Sequence, residues 1–322
     1  MKTGIFLLHE NFHASHTNTM LGEMDLGVWA EELGFDEVWF AEHHFNDFSV
    51  IPSPTLAMAY LAARTEHIRI GSAAFLAPFY HHVRLAEEIA SLDVLSSGRI
   101  NAGFAKGGFT LDMELFDKSA DQLREEMFED VQKIAQMLES HQHLQPKPIQ
   151  KKIPFYIATF STKETIEYAA YHGYGLLFSQ GASLEECVAA SNLYHTISGV
   201  YPEVVVMRVL SIDEDQKEAH QNALIATDHF IKCMQAVKAK KEQPAFAQQN
   251  YEELLAQRYD FFHAQNFINA GIIGSKTECI AKTQALKDAL PNLHLILKPA
   301  TFSHKKSKEM LAVFKELVEP HL

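Results

Sequence analysis

Short apolar runs alternate with amphipathic segments along almost the whole of this 322-residue chain, and that rhythm narrows the choice of fold more than any single motif. The strand-like runs are TGIFLL (3–8), DEVWFAEH (36–43), IRIGSAAFLA (68–77), RINAGFA (99–105), PFYIATF (154–160), GLLFSQ (175–180), EVVVMRVLSI (203–212) and HLILKP (294–299). Their apolar residues are continuous rather than alternating, as in strands covered on both faces. Between them lie stripes at helical spacing: Leu26, Trp29 and Leu33; Leu85, Ile89, Leu92 and Leu95; Leu123, Met127, Val131, Ile134 and Leu138; Met310, Val313, Phe314 and Leu317. We read these stripes as core-facing sides of helices. About eight strand–helix units in a chain of this length predict a (β/α)8 TIM barrel spanning 1–322 as one domain. An open doubly wound sheet is the competing fold, but neither GxGxxG nor GxxxxGK[ST] follows any strand.

One stretch, 238–269, interrupts the rhythm. It opens rich in Lys and Gln and turns aromatic, at a point preceding the last strand. The expectation is an insertion serving as a lid over the C-terminal face of the barrel.

Acids outnumber Lys plus Arg by 41 to 28, a formal charge of −13, which disfavours binding to nucleic acid or to an anionic membrane. An anionic ligand must then be gripped locally. The cysteines, Cys187, Cys233 and Cys279, are odd in number and far apart, which fits a reducing cytoplasm better than a disulfide framework. The N-terminal apolar run is too short for a signal peptide or a membrane span.

In a barrel, chemistry gathers where strands end. The run VWFA breaks into Glu42, His43 and His44, a costly group to bury without partners. Other strand ends supply His9, Glu10 and Ser179. RINAGFAKGGF delivers Lys106 into a Gly107–Gly108 turn, where backbone N–H groups can approach an anion beside a cation. FSTKETIEYAAYHG places Ser161, Thr162 and Thr165 at the start of a helix, either as an ordinary capping box or as part of a phosphate cradle. A metal hydrolase fits less well: strand one offers His9 alone and no HExxH occurs.

VWFAEHHF, GSAAFLAPFYHHVRLAEEIASLDVLSSGR, GFAKGG and FYIATFSTKETIEYAAYHG, in that order, resemble the bacterial luciferase-like flavin-dependent monooxygenases, most closely their α-type subunit. The resemblance implies reduced FMN (FMNH2) at the C-terminal face. It further implies O2 activation as a flavin C4a-hydroperoxide, oxidation of an aldehyde or other small organic molecule, a separate flavin reductase, and a homodimer. By the same resemblance His43 is the catalytic acid/base, poised near neutral pH with Glu42 beside it to fix its tautomer, and His44 is its partner. Asp112 lies near the flavin, and Ala73–Ala74 lies against the flavin ring through a cis peptide. Lys106, Gly107, Ser161, Thr162 and Thr165 take the phosphate. Two positions depart from luciferases: Ala105 replaces a reactive cysteine, and Ser161 replaces a glutamate. Two alternatives stay open: an F420-dependent or tightly FMN-bound oxidoreductase of the same fold, and a non-catalytic flavin-binding partner subunit.

Overall fold

A computed structural model describes residues 1–12, 15–46, 48–140, 143–239 and 263–321. Eight parallel strands close into a barrel: β1 (Lys2–Leu7), β2 (Glu37–Phe40), β3 (Arg69–Ser72), β5 (Ile100–Ala105), β6 (Phe155–Ala158), β7 (Gly175–Phe178), β8 (Val204–Ile212) and β10 (Leu293–Pro299). The pairing of β8 with β10, from Leu293↔Val204 to Pro299↔Leu210, completes the ring. Two short strands were not separately expected. The predicted run 68–77 divides at Ala73–Ala74 into β3 and β4 (Phe75–Leu76), and β9 (Ile272–Gly274) pairs with the end of β8.

The connecting helices are α1 (His16–Glu32), α2 (Pro54–Ala62), α3 (His82–Leu95), α4 (Thr110–Leu115), α5 (Leu123–Ser140), α6 (Lys163–His172), α7 (Leu184–Ser198), α8 (Gln216–Ala239), α9 (Ala264–Ala270), α10 (Lys276–Ala289) and α11 (His304–Val313). The predicted stripe of α5 is buried from Leu123 to Leu138. That of α3 holds through Leu92 but not at Leu95, which is 65% exposed as the last residue of the helix. No described helix is long and apolar enough to cross a membrane. Most of the 238–269 segment, residues 240–262, lies outside the described residues, and the expected lid falls there.

Large side chains fill the barrel where glycine leaves room. A Cβ at Gly71 would come within 2.5 Å of the Trp39 ring, and one at Gly175 within 2.3 Å of Tyr156. At the N-terminal end the filling is polar. Glu37, fully buried, accepts from Trp39 Nε1 at 2.9 Å and faces His294 Nδ1 at 3.1 Å and Asn101 Nδ2 at 3.4 Å. His294 Nε2 lies 3.7 Å from Glu203, which also accepts from the Tyr156 hydroxyl at 2.6 Å. Lys2 reaches both carboxylates at 3.8 Å. Every charge in this plug faces an opposite one, the condition under which buried ions are tolerated.

Candidate active site

β2 stops at Phe40, earlier than the sequence pattern suggested, so Glu42, His43 and His44 stand on the loop beyond it. That loop is tightly held. Asn46 Nδ2 donates to the His44 carbonyl at 2.7 Å, while its Oδ1 accepts from the Phe48 and Ser49 amides at 3.1 and 2.9 Å. The His43 amide donates to the Ile51 carbonyl at 3.0 Å. Phe45 sits at φ 52°, a left-handed conformation that a non-glycine residue keeps only when its surroundings enforce it.

The buried Glu42 carboxylate lies 2.8 Å from His44 Nε2 through Oε1, and its Oε2 accepts from the Leu76 amide at 3.2 Å and the Tyr80 hydroxyl at 2.9 Å. Burial pushes Glu42 up from the ordinary carboxylate value, and these partners pull it back. The carboxylate is therefore bonded to His44 and not to His43. The His44 ring is walled by Phe45, Phe79 and Phe116, with centroids 5.7, 6.3 and 5.1 Å away.

His43 packs between Phe48 and Phe109, and its Nδ1 is sealed with no hydrogen-bond partner. Burial, reinforced by neighbouring His44, drives its pKa down to about 4. The expectation of an imidazole balanced near neutrality does not hold in this environment: His43 is a neutral ring at pH 7. Asp112, in α4, has a buried Oδ2 without a partner. Its pKa rises to about 6, mainly through burial; the charge of His44 opposes the rise and Glu42 adds to it.

The Ala73–Ala74 peptide is cis, and the Ala73 amide donates to the Phe40 carbonyl at 2.6 Å, which ties this segment to the end of β2. Past β5 the chain turns at Gly107 (φ 75°) and Gly108 (φ 156°). A Cβ at Gly107 would lie 2.9 Å from the Phe79 ring, so the turn requires glycine on two counts. Lys106 Nζ lies 4.0 Å from where a Gly108 Cβ would be, folded back over the turn. β6 pairs with β5 through Phe104↔Ile157, so the turn after β6 is the immediate neighbour of the Lys106 turn. There Ser161 takes φ 62°, and Thr162 is the N-cap of α6 with no side-chain capping bond. The capping-box alternative is absent, and the Thr165 and Ile166 amides fold back onto the Thr162 carbonyl at 3.1 Å each. Thr165 is buried in this first turn.

Among the described residues, buried side-chain atoms without a hydrogen-bond partner concentrate on one side of the barrel. His9 Nε2 follows β1, His43 Nδ1 follows β2, Asp112 Oδ2 follows β5, Thr159 Oγ1 follows β6 and Ser179 Oγ follows β7. Glu10 belongs to the same end but forms an ion pair with Lys298. Only Ser191 and Arg208 lie elsewhere. Unmet buried polar atoms cost about 1–3 kcal/mol each, so atoms of this kind at one end of the barrel are candidates for contact with a polar ligand. Together with an adjacent cation, a glycine turn and a helix start free of side-chain caps, they suit a phosphate-bearing group with a polar ring, as FMN is. No three described His, Cys, Asp or Glu side chains come together as a metal would require.

Tyr80 and Thr159 were not singled out by sequence. Tyr80 is 38 residues from Glu42, and no local spacing links them. The signal available was the need of a buried Glu42 for donors.

The sequence profile of the luciferase-like monooxygenases matches residues 1–292. An alkanal monooxygenase alpha chain of Photorhabdus luminescens is 28% identical over 242 residues, 69% of this chain and 67% of that one. The oxygenase component of the flavin-dependent trigonelline monooxygenase of Acinetobacter baylyi is 34% identical over a shorter stretch, 35% of this chain and 32% of that one. Among solved structures, monooxygenase RslO1 from Streptomyces bottropensis superposes with a TM-score of 0.84 at 22% identity, covering 100% of this chain and 99% of that one. The FMN-bound oxygenating constituent of 3,6-diketocamphane monooxygenase from Pseudomonas putida gives 0.77 at 17%, covering 99% and 98%. An F420-dependent secondary alcohol dehydrogenase gives 0.75 at 17%, covering 100% and 99%. The likeness to these structures is one of fold. The chain belongs to the luciferase-like, flavin-dependent monooxygenase family.

Proposed function

We propose that this protein is an FMN-dependent monooxygenase that takes FMNH2 from a separate reductase and oxidises a small organic substrate, an aldehyde or similar. The observation that carries this reading is the set of unpartnered buried atoms past β1, β2, β5, β6 and β7, beside the Lys106–Gly107–Gly108 turn. Lys106, the Gly107 and Gly108 amides, and the hydroxyls of Ser161, Thr162 and Thr165 would hold the phosphate, and Ala73–Ala74 would back the ring. Bound reduced FMN, with O2, supplies the oxidising equivalent: one oxygen atom enters the substrate and the other leaves as water.

The protein's own part is position and proton handling. His43, neutral at pH 7, is a base or a hydrogen-bond partner beside the reacting atoms. Below its pKa of about 6 Asp112 is a neutral carboxyl and can donate through Oδ2. Glu42 orients His44. The aromatic wall keeps water from this corner of the site. A homodimer in the cytoplasm completes the proposal; support for the dimer comes from family resemblance alone, and for the compartment from cysteine usage. The oxygenase-component relative supports a separate reductase.

The F420-dependent neighbour supports a second reading, deazaflavin-linked oxidoreduction. A longer anionic tail calls for more cations than Lys106 alone provides, which favours FMN. Turnover of aldehydes, ketones and thioethers with FMNH2 under 18O2 separates the readings. The monooxygenase incorporates one 18O atom into product. Substrate oxidation with no label, and with F420 preferred over FMN, would establish the other reading.

A further inference from the structure

The buried Glu42 carboxylate is shared unequally. Oε1 faces one group, His44 Nε2, at 2.8 Å. Oε2 faces two, the Leu76 amide at 3.2 Å and the Tyr80 hydroxyl at 2.9 Å. An amide N–H can only donate, and with the tyrosine hydroxyl donating as well, both lone pairs of Oε2 are engaged. A proton shared between Glu42 and His44 Nε2 therefore lies on the Oε1 side of the carboxylate. Tyr80 itself is fixed, its ring packed edge-on against Phe75 with centroids 6.2 Å apart.

We propose that Tyr80 is a positioning residue of this site: its hydroxyl occupies Oε2 of Glu42, keeps that carboxylate ionised although it is buried, and so directs the shared proton onto His44. A hydrogen bond to a charged acceptor in a buried site is stronger than one to a neutral acceptor, so the hydroxyl favours the carboxylate over the carboxylic acid. The other ionisable groups facing this assembly are His43 from the same loop, Asp112 from α4, and Glu88 of α3 acting on Tyr80. Glu42 and Glu88 both push the Tyr80 hydroxyl further up from its ordinary value, after burial, so it stays protonated and can act only as a neutral donor here. Without it, one lone pair of Oε2 opens. The burial that already pushes Glu42 upward then favours a carboxylic acid whose proton can turn away from His44.

Tyr80→Phe removes the hydroxyl and keeps the ring against Phe75. An acid titration of flavin-free protein, followed by the carboxyl 13C signal of Glu42, reads when this carboxylate takes up its proton. In Tyr80→Phe it does so at a higher pH than in the wild type. The same midpoint in both proteins overturns the proposal. The kinetic arm rests on the monooxygenase reading: Tyr80→Phe lowers kcat about fivefold to tenfold with KM unchanged, the loss expected when one hydrogen bond to a working group is removed. A thermal melt checks that Tyr80→Phe is folded, and Glu42→Gln supplies the reference for a double-mutant cycle. Adding Tyr80→Phe to Glu42→Gln leaves kcat where Glu42→Gln put it, whereas a multiplied loss means that Tyr80 acts independently of Glu42 and refutes the assignment.

Discussion

The two ends of the barrel treat buried polar groups in opposite ways. At the N-terminal end Glu37, His294, Glu203 and Lys2 are matched to one another, and the shifts run toward the charged forms. His294 is raised because its bonds to Glu203 and Glu37 outweigh burial; Glu37 is lowered, and Glu203 is lowered to about 2, chiefly by its bond to His294. Around His43, at the C-terminal end, the shifts run toward the neutral forms: His43 down to about 4, Asp112 up to about 6, Glu42 up. Burial has the last word there because the opposing partners are too few. One end is complete as the chain alone makes it; the other has donors and acceptors left over. Unmatched buried polar atoms are candidates for contact with a ligand.

The sharpest way to break this contrast is His43→Ala. If the mouth is built for chemistry, kcat/KM falls by about 10²–10⁴, the usual worth of a general acid/base, while thermal stability stays near wild type. Steady-state kinetics beside a thermal melt decide it, and unchanged turnover removes His43 from the mechanism. At the opposite end Glu37→Ala should do the reverse. Removing one partner of a buried ion network costs about 3–5 kcal/mol of stability, read from urea unfolding, with FMN affinity unaltered. An equal loss in flavin binding would mean that the two ends are not separable.

Lys106→Ala comes next: FMN should bind more weakly by about 1.5–3 kcal/mol, the range for a charge-assisted hydrogen bond, with melting unchanged. Calorimetric titration with FMN measures it, and an unaltered isotherm excludes Lys106 from the cradle. The pH dependence sharpens the comparison further. His294 has a folded pKa above its ordinary 6.5, so its contribution is fully present below 6.5 and is lost as pH rises through the folded value. Glu37 and Glu203 are depressed below 4.5, so theirs is present above 4.5 and is lost as pH falls through the folded values. The plug is strongest between these limits, and His294→Gln should flatten the alkaline side of the stability curve. His43 has the opposite sign for a histidine: held below 6.5, it costs stability as pH falls from 6.5 toward 4. Urea midpoints across pH for wild type, His294→Gln and His43→Ala test all three slopes. The smallest effect expected is at Ser179. Ser179→Ala removes an unmet hydroxyl, so the apo protein should gain up to about 1 kcal/mol while ligand affinity falls. A destabilised Ser179→Ala would show that the hydroxyl is already satisfied.

The fold was legible because both-side-buried parallel strands write themselves as continuous apolar runs, and RINAGFA and EVVVMRVLSI became β5 and β8 nearly residue for residue. Where β3 ended was not: AAFLA runs on apolar from Ala73 to Ala77, and the break at Ala73–Ala74 leaves no trace in hydropathy. The three-residue β9 is too short for a periodic signal. The site residues were visible as polar interruptions at strand ends, and the adjacency of Lys106 and Ser161 followed once β5 and β6 were neighbours. The direction of the His43 shift was not visible, since it depends on Phe48 and Phe109 closing over the ring. Nor was the choice of His44 by Glu42, which rests on loop geometry set by Asn46.

The central claim is that the leftover polar atoms at the C-terminal mouth are the seat of the flavin. A crystal structure with FMN bound tests it most directly. The expected structure has the phosphate within hydrogen-bond distance of Lys106 Nζ and the Ser161–Thr165 turn, with the ring beside His43 and against Ala73–Ala74. A ligand seated elsewhere, with His43 Nδ1, Asp112 Oδ2 and Ser179 Oγ still unpartnered, would contradict it.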